Sequence, residues 1–310
     1  MTMTTEQGIL RASIAVTVLV AVFGIVFGVL SHSTSIAFDG VYALADASMS
    51  ALALIVSNLI ASYSGSTALA RRLRERFTMG FWHLEPMVLG LNGVLLMGVS
   101  IYAFINAITS LIGGGRKLDF SYAIVYAAVT LIACAVMAVV EMRANRKLRS
   151  DFVALDAKAW LMSGGITAAL LIAFALGYAV EETRWVWIAP YIDPAVLALI
   201  CIVITPMPVG TVKQALSEVL LVTPDELKQQ VAAAAEAAVK KYGFLSYRAY
   251  AAKVGRAKQI ELYFIVPQGW PAKTLEEWDH IRDEIGDAIG GDGPDRWLTI
   301  AFTTDIEWAE

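Results

Sequence analysis

The chain has 310 residues and a formal net charge of −4; 57% of its residues are hydrophobic, 17% are charged, and the mean hydropathy is +0.61. A soluble domain does not carry that composition, and an acidic balance argues against a nucleic-acid partner. The chain reads as a membrane protein.

Between consecutive charged residues lie six apolar runs: 12–38, 47–70, 86–115, 120–140, 159–180 and 194–212. Each is at or near the roughly 20 residues that cross a bilayer core as a helix, so six spans are expected. The first run exceeds the apolar core of a signal peptide and ends in Leu30-Ser31-His32-Ser33-Thr34 without a cleavage pattern, so it reads as a retained span. Cys134 and Cys201 fall inside runs, form no Cys-x-x-Cys motif and read as packing residues.

Loop charge orients the bundle. Arg71, Arg72, Arg74 and Arg76 follow the second run and Arg143, Arg146, Lys147 and Arg149 the fourth, while the opposite loops carry only Arg116, Lys117 and Arg184. Eight basic residues against three put both termini in the cytoplasm. The pattern turns soluble at Thr223-Pro224-Asp225-Glu226, which reads as a helix start with Thr223 as cap and Pro224 at the first helical position. That helix runs to Lys241 and closes at Gly243. Strand-like runs 246–254 and 258–266 flank a Gly255-Arg256 turn, a second helix begins at a Thr274/Glu277 capping box and runs to about Ile289, and 297–303 is a last strand. The fold class is therefore an α-helical membrane protein with six transmembrane helices (1–222) and a C-terminal α+β domain of order αββαβ (223–310), with helices over an antiparallel or mixed sheet. The tail is acidic, with ten Lys/Arg against fifteen Asp/Glu.

Carboxylates at membrane depth are functional candidates by default, because burying one without a partner is costly. Asp39, Tyr42 and Asp46 are spaced i, i+3, i+7 and share one helical face. Asp156 opens the fifth span, where Asp156, Ala159 and Ser163 repeat that spacing in weaker form. With residues 44 and 161 level, Asp46 and Asp156 lie within reach of a common ion or proton, whereas Asp39 is about 15 Å along the axis from Asp156 and reads as an outer way-station or a cap. Gly24-x-x-x-Gly28 and Gly164-Gly165 read as close helix contacts, with the latter pair next to the second span. Asn92 and Asn106 are bundle hydrogen bonds or dimer contacts. Tyr102, Trp185 and Trp187 suit the interfacial belts.

The segments 37–46, Gly80-Phe-Trp-His83-Leu-Glu85, Tyr191-Ile-Asp193-Pro194 and 220–227, in that order along nearly the whole chain, resemble the cation diffusion facilitator family of divalent-metal transporters. The resemblance implies six spans, a cytoplasmic ferredoxin-like tail, a homodimer, and cation export in exchange for protons by alternating access. It implies a metal as transported substrate, with no cofactor bound permanently and no enzymatic activity. In that family a His/Asp-x-x-x-Asp pair and a His-x-x-x-Asp pair hold the ion; here those positions are Tyr42, Asp46, Ala159 and Ser163. The remaining candidate ligands, Asp46, Tyr42, Ser163, Asp156 and Asp39, are all oxygen, which favours Mg²⁺-, Mn²⁺- or Fe²⁺-like ions over Zn²⁺. His83 reads as an interfacial residue bonded to a carboxylate such as Glu218, and Phe81 stands where the family's accessory site has a histidine. His280, flanked by Glu276 and Glu284, reads as part of a solvated face rather than a cation site. A bacterial-type inner membrane is the expected location, with lipid, cation and proton as partners. The alternative reading is a transport-impaired relative that senses metal or scaffolds.

Overall fold

A computed structural model describes residues 6–63, 75–77, 80–148, 151–181, 183–255, 257–293 and 295–310. Of the basic residues counted above, Arg71, Arg72, Arg74 and Arg149 lie outside them, as does Arg256 of the expected hairpin turn. The chain forms two compact units, 1–54 with 91–210 and 55–90 with 211–310.

The long helices are α1 (Glu6–Ser31), α2 (Thr34–Tyr63), α3 (Leu84–Ile112), α4 (Phe120–Leu148) and α5 (Asp151–Glu181), followed by a 3₁₀ turn at Val186–Ile188, α6 (Ala189–Ile204) and α7 (Val209–Val219). Six segments among the described residues are long and apolar enough to cross a membrane, the last running from Val186 to Val219. Their outward faces are apolar: Leu19, Ile132, Leu176 and Leu199 are each more than 60% exposed, as lipid contact requires. The multi-pass membrane reading stands.

Two boundaries differ from the charge-free runs. The turn between α1 and α2 falls inside the first run, where His32 adopts φ 56° and Ser33 N–H returns to the Gly28 carbonyl. Asp193 fixes that turn. Its buried carboxylate accepts from Ser33 Oγ (2.5 Å), Thr34 N (2.8 Å), Thr34 Oγ1 (2.9 Å) and the Ser35 hydroxyl, placing negative charge at the N-terminus of α2. The last run also breaks, because the prolines of Thr205-Pro206-Met207-Pro208 cannot donate to the preceding turn, and α6 ends at Ile204. The α1–α2 crossing is as close as Gly24-x-x-x-Gly28 implies. A Cβ on Gly28 would lie 2.5 Å from Ala37 N, and one on Gly40 would lie 2.7 Å from Ala21 O and Ile25 N. Gly164 instead faces Cys134 of α4, and Gly165 meets open space, so that pair does not serve the second span.

The tail folds as α8 (Asp225–Tyr242), β1 (Ser246–Val254), β2 (Ala257–Ile265), α9 (Leu275–Ile289) and β3 (Arg296–Thr303), with a 3₁₀ turn at Ile306–Ala309. The sheet is mixed, in the order β1-β2-β3. Ser246 pairs with Ile265 and Val254 with Ala257 antiparallel, while Ile260 pairs with Leu298 and Leu262 with Ile300 parallel. Alternate residues Ile260, Leu262 and Phe264 join Val231 and Ala235 of α8, Ile281 and Ile285 of α9 and Ile300 in one core, so both helices cover the same face. The capping box at Thr274/Glu277 forms, and Gly243 closes α8 in the left-handed region at φ 75°. Thr223 does not cap α8. Pro224 takes the cap position, and the Thr223 hydroxyl donates to the Ala251 carbonyl of β1 at 2.5 Å.

Glu218 of α7 serves the hairpin, accepting from Gly255 N–H (2.9 Å) and Gln214 Nε2 (3.0 Å) with Lys253 Nζ at 3.7 Å, in place of the expected bond to His83. Around His280 two of the acids, Glu284 and Asp279, are engaged. Lys241 and the Tyr242 hydroxyl both bond Glu284, and Arg282 Nη1 bonds Asp279 at 2.5 Å. The Lys241 ammonium, then Tyr242, hold the Glu284 carboxyl below its ordinary 4.5.

Candidate cation site

The polar residues of the first unit fall into two linked groups. On α2, Asp39, Tyr42 and Asp46 share the expected face, but their partners differ. Asp39 Oδ2 accepts from the Tyr126 hydroxyl of α4 at 2.6 Å. Tyr42 lies against Phe38, ring centroids 5.5 Å apart, and packs on the cluster of Phe38, Ala103, Ala107, Leu197, Ala198 and Cys201 from α3 and α6. Its phenol and the Asp46 carboxylate, one helical turn on, interact electrostatically.

Asp46 has two further polar neighbours. Asn92 of α3 offers it a side-chain hydrogen bond, and the Asp156 carboxylate of α5 is close enough for mutual repulsion. Asn92 Oδ1 is buried and makes no hydrogen bond of its own. Asp46, Tyr42, Asn92 and Asp156 thus form one neighbourhood contributed by three helices. Ser163 is turned elsewhere: the Cys134 thiol of α4 donates to its hydroxyl at 3.7 Å, and its carbonyl accepts from Thr167 Oγ1 at 2.9 Å.

Sequence reasoning missed the part played by α4. Tyr126, Thr130, Cys134 and Glu141 recur at spacings of 4, 4 and 7, one face of a helix. Tyr126 is 1% exposed and Glu141 fully buried. Glu141 ended the fourth run because a span was closed at its first charge, whereas the helix continues seven residues past it, to Leu148. The signal was the periodicity of polar residues through Glu141. The sequence leaves Asn92 as a bundle hydrogen bond or a dimer contact; its place beside Asp46 depends on how α2 and α3 pack.

These groups are oxygen donors and do not make up the His- and Cys-rich tetrahedral set typical of Zn²⁺. Among the described residues, no three His, Cys, Asp or Glu side chains converge on one point. The chain's three histidines lie at the α1–α2 turn (His32), just before α3 (His83) and in the tail (His280). A pair of carboxylates with an amide and a phenol oxygen suits an ion that retains part of its water shell. A cavity of about 580 Å³ lined by Phe38, Tyr102, Asn106 and Arg116 contains no carboxylate and is not this site.

A search of curated proteins by sequence finds no match. The family model described as the cation efflux transmembrane domain matches residues 10–220, which take in all six spans but for the first two residues of the first, and the whole neighbourhood of Asp46. With two thirds of its length so matched and six apolar helices followed by a small α+β domain, the chain belongs to the cation efflux, or cation diffusion facilitator, family of membrane transporters.

Proposed function

We propose that this cation transporter exports a hard divalent ion, Mg²⁺-, Mn²⁺- or Fe²⁺-like, through an oxygen-only site centred on Asp46. Tyr42, Asn92 and Asp156 complete its surroundings, and the ion substitutes for protons on the carboxylates. The observation that carries this reading is the Asp46 carboxylate inside the bundle, with Asn92 and Asp156 beside it and, in the compact unit of 1–54 with 91–210, no imidazole except His32 at the turn. Hard oxygen donors select hard cations. Two acids that repel without a cation are stabilised by a cation or by protons, and that exclusion is what couples export to proton entry. Alternating access then requires only that the site open to one side at a time. In this reading the protein is a homodimer in a bacterial-type inner membrane, with both termini and the tail in the cytoplasm.

A second reading, a relative that senses metal or scaffolds without transport, is favoured by Ala159, which has no ligand atom where the family places one. Uptake by sealed liposomes separates the two. The protein is reconstituted and challenged with Mg²⁺, Mn²⁺, Fe²⁺, Co²⁺, Ni²⁺, Zn²⁺ and Cd²⁺, with and without a pH gradient. Flux of Mg²⁺, Mn²⁺ or Fe²⁺ that exceeds Zn²⁺ flux and responds to the gradient supports the transporter. Folded protein that moves no ion supports the scaffold.

A further inference from the structure

Glu141 is the most unusual side chain in the transport unit. It is fully buried on α4, and neither carboxylate oxygen completes a hydrogen bond. Its polar neighbours are the Asp156 carboxylate and the Trp160 indole of α5 and the Ser13 hydroxyl of α1. Trp160 Nε1 is already committed, donating to Ser13 Oγ at 2.8 Å, so the Ser13 oxygen is held at the edge of the pocket. Ser13 and Trp160 are 3% and 6% exposed, and Cys134, Met137, Ala138 and Val16 form the apolar wall. Among the described residues no basic side chain forms an ion pair with Glu141 or Asp156.

Two neighbouring carboxylates, Glu141 fully buried without a completed hydrogen bond and Asp156 partly buried, with no ion-paired base among the described residues, are stabilised by a positive charge. Asp156 also interacts with Asp46, so it stands between Glu141 on one side and Asp46 on the other. We propose that Glu141, Asp156 and the Ser13 hydroxyl form a second binding position for a partly hydrated divalent cation, from which the ion passes to Asp46 through the shared Asp156. This rests on the reading that the chain carries a hard divalent ion. Two carboxylates and a hydroxyl, with water completing the shell, are the donor set that Mg²⁺ and Mn²⁺ accept. The position lies on α1, α4 and α5, whereas the pattern of residues 42, 46, 159 and 163 uses α2 and α5 alone.

The test counts Mn²⁺ bound to the full-length protein in detergent, from the paramagnetic resonance signal of the free ion, for the wild type, Asp46→Asn, Glu141→Gln and the double variant. Asp46→Asn is expected to keep one Mn²⁺, which the double variant loses, with affinity falling by more than the about 10- to 100-fold that loss of an outer-shell partner costs. Ser13→Ala keeps both carboxylates and serves if the Glu141 variants do not fold; it is expected to weaken the same Mn²⁺. Equal binding by Asp46→Asn and the double variant, or by the wild type and Ser13→Ala if that substitution is needed, overturns the proposal. Liposome flux keeps the two readings apart. Wild-type flux with unchanged Mn²⁺ binding on removal of Glu141 refutes this position and leaves the transport reading standing, and a Glu141-dependent Mn²⁺ without wild-type flux does the reverse.

Discussion

Replacing Asp193 with Asn keeps the size of the side chain and removes its charge, and the five donors around it make the consequence calculable. Oδ1 takes Ser33 Oγ at 2.5 Å, the Ser35 hydroxyl and, at 3.4 Å, Ser35 N–H; Oδ2 takes Thr34 N–H at 2.8 Å and Thr34 Oγ1 at 2.9 Å. An amide has one acceptor oxygen, so one of these sets must face an N–H₂ group. Hydrogen bonds to a charged group contribute about 1.5–3 kcal/mol each, so losing two costs about 3–6 kcal/mol. Unfolded helices in lipid or detergent find replacement partners, which moves the expectation to the lower end, about 3 kcal/mol. At about 2–4 °C per kcal/mol for a unit of 150–250 residues, the melting temperature falls by about 6–12 °C. Thermal unfolding of the purified protein in one detergent, followed by intrinsic fluorescence, measures it. A variant that melts within about 2 °C of the wild type would falsify the claim that Asp193 holds the α1–α2 turn.

Further expectations use the same reasoning. Gly40→Ala puts a methyl 2.7 Å from two backbone atoms of α1 and should cost about 1–3 kcal/mol, whereas Gly98→Ala, with nothing within 4 Å, should change the melting temperature little; equal effects would contradict the crossing. Glu284 has its folded pKa held below 4.5, so the stability it contributes is present above pH 4.5 and is lost as pH falls through the folded value. A Glu284→Gln protein should therefore melt below the wild type at neutral pH and converge with it in acid; a gap that persists or widens below pH 4.5 would contradict the sign. Asp46→Asn should abolish cation flux without lowering the melting temperature.

What the sequence made legible were features whose causes are local. The Thr274/Glu277 box is written three residues apart, and the alternation of Ile260, Leu262 and Phe264 marks the core face of β2 before any partner strand is known. The spacing of charged residues along the chain announces six spans. The α1–α2 turn was not legible, because the residue that fixes it, Asp193, comes from α6, 158 residues beyond Ser35. Thr223 misled for the same reason, since its hydroxyl serves β1 rather than the helix that follows it. Within the candidate site, Asp39 and Asp46 stood out because they sit seven residues apart, on one helical face, between two apolar runs, and Asp156 because it leads a similar spacing in the fifth span. Glu141 did not, because Arg143, Arg146 and Lys147 follow it and make it read as the start of a charged loop, and only the fold encloses it between α1 and α5. Ser163 shows the converse: its spacing fits a ligand position, yet its hydroxyl meets Cys134 of α4.

The central claim is that a single oxygen-rich neighbourhood around Asp46 moves a hard divalent cation against protons. Sealed liposomes holding wild-type protein or Asp46→Ala, with a pH gradient imposed and Mn²⁺ uptake and luminal pH recorded together, test it most directly. The account predicts Mn²⁺ entry with matching proton movement in the wild type and neither in the variant. Equal Mn²⁺ and proton traces from the two proteins, each shown to be folded, would contradict it.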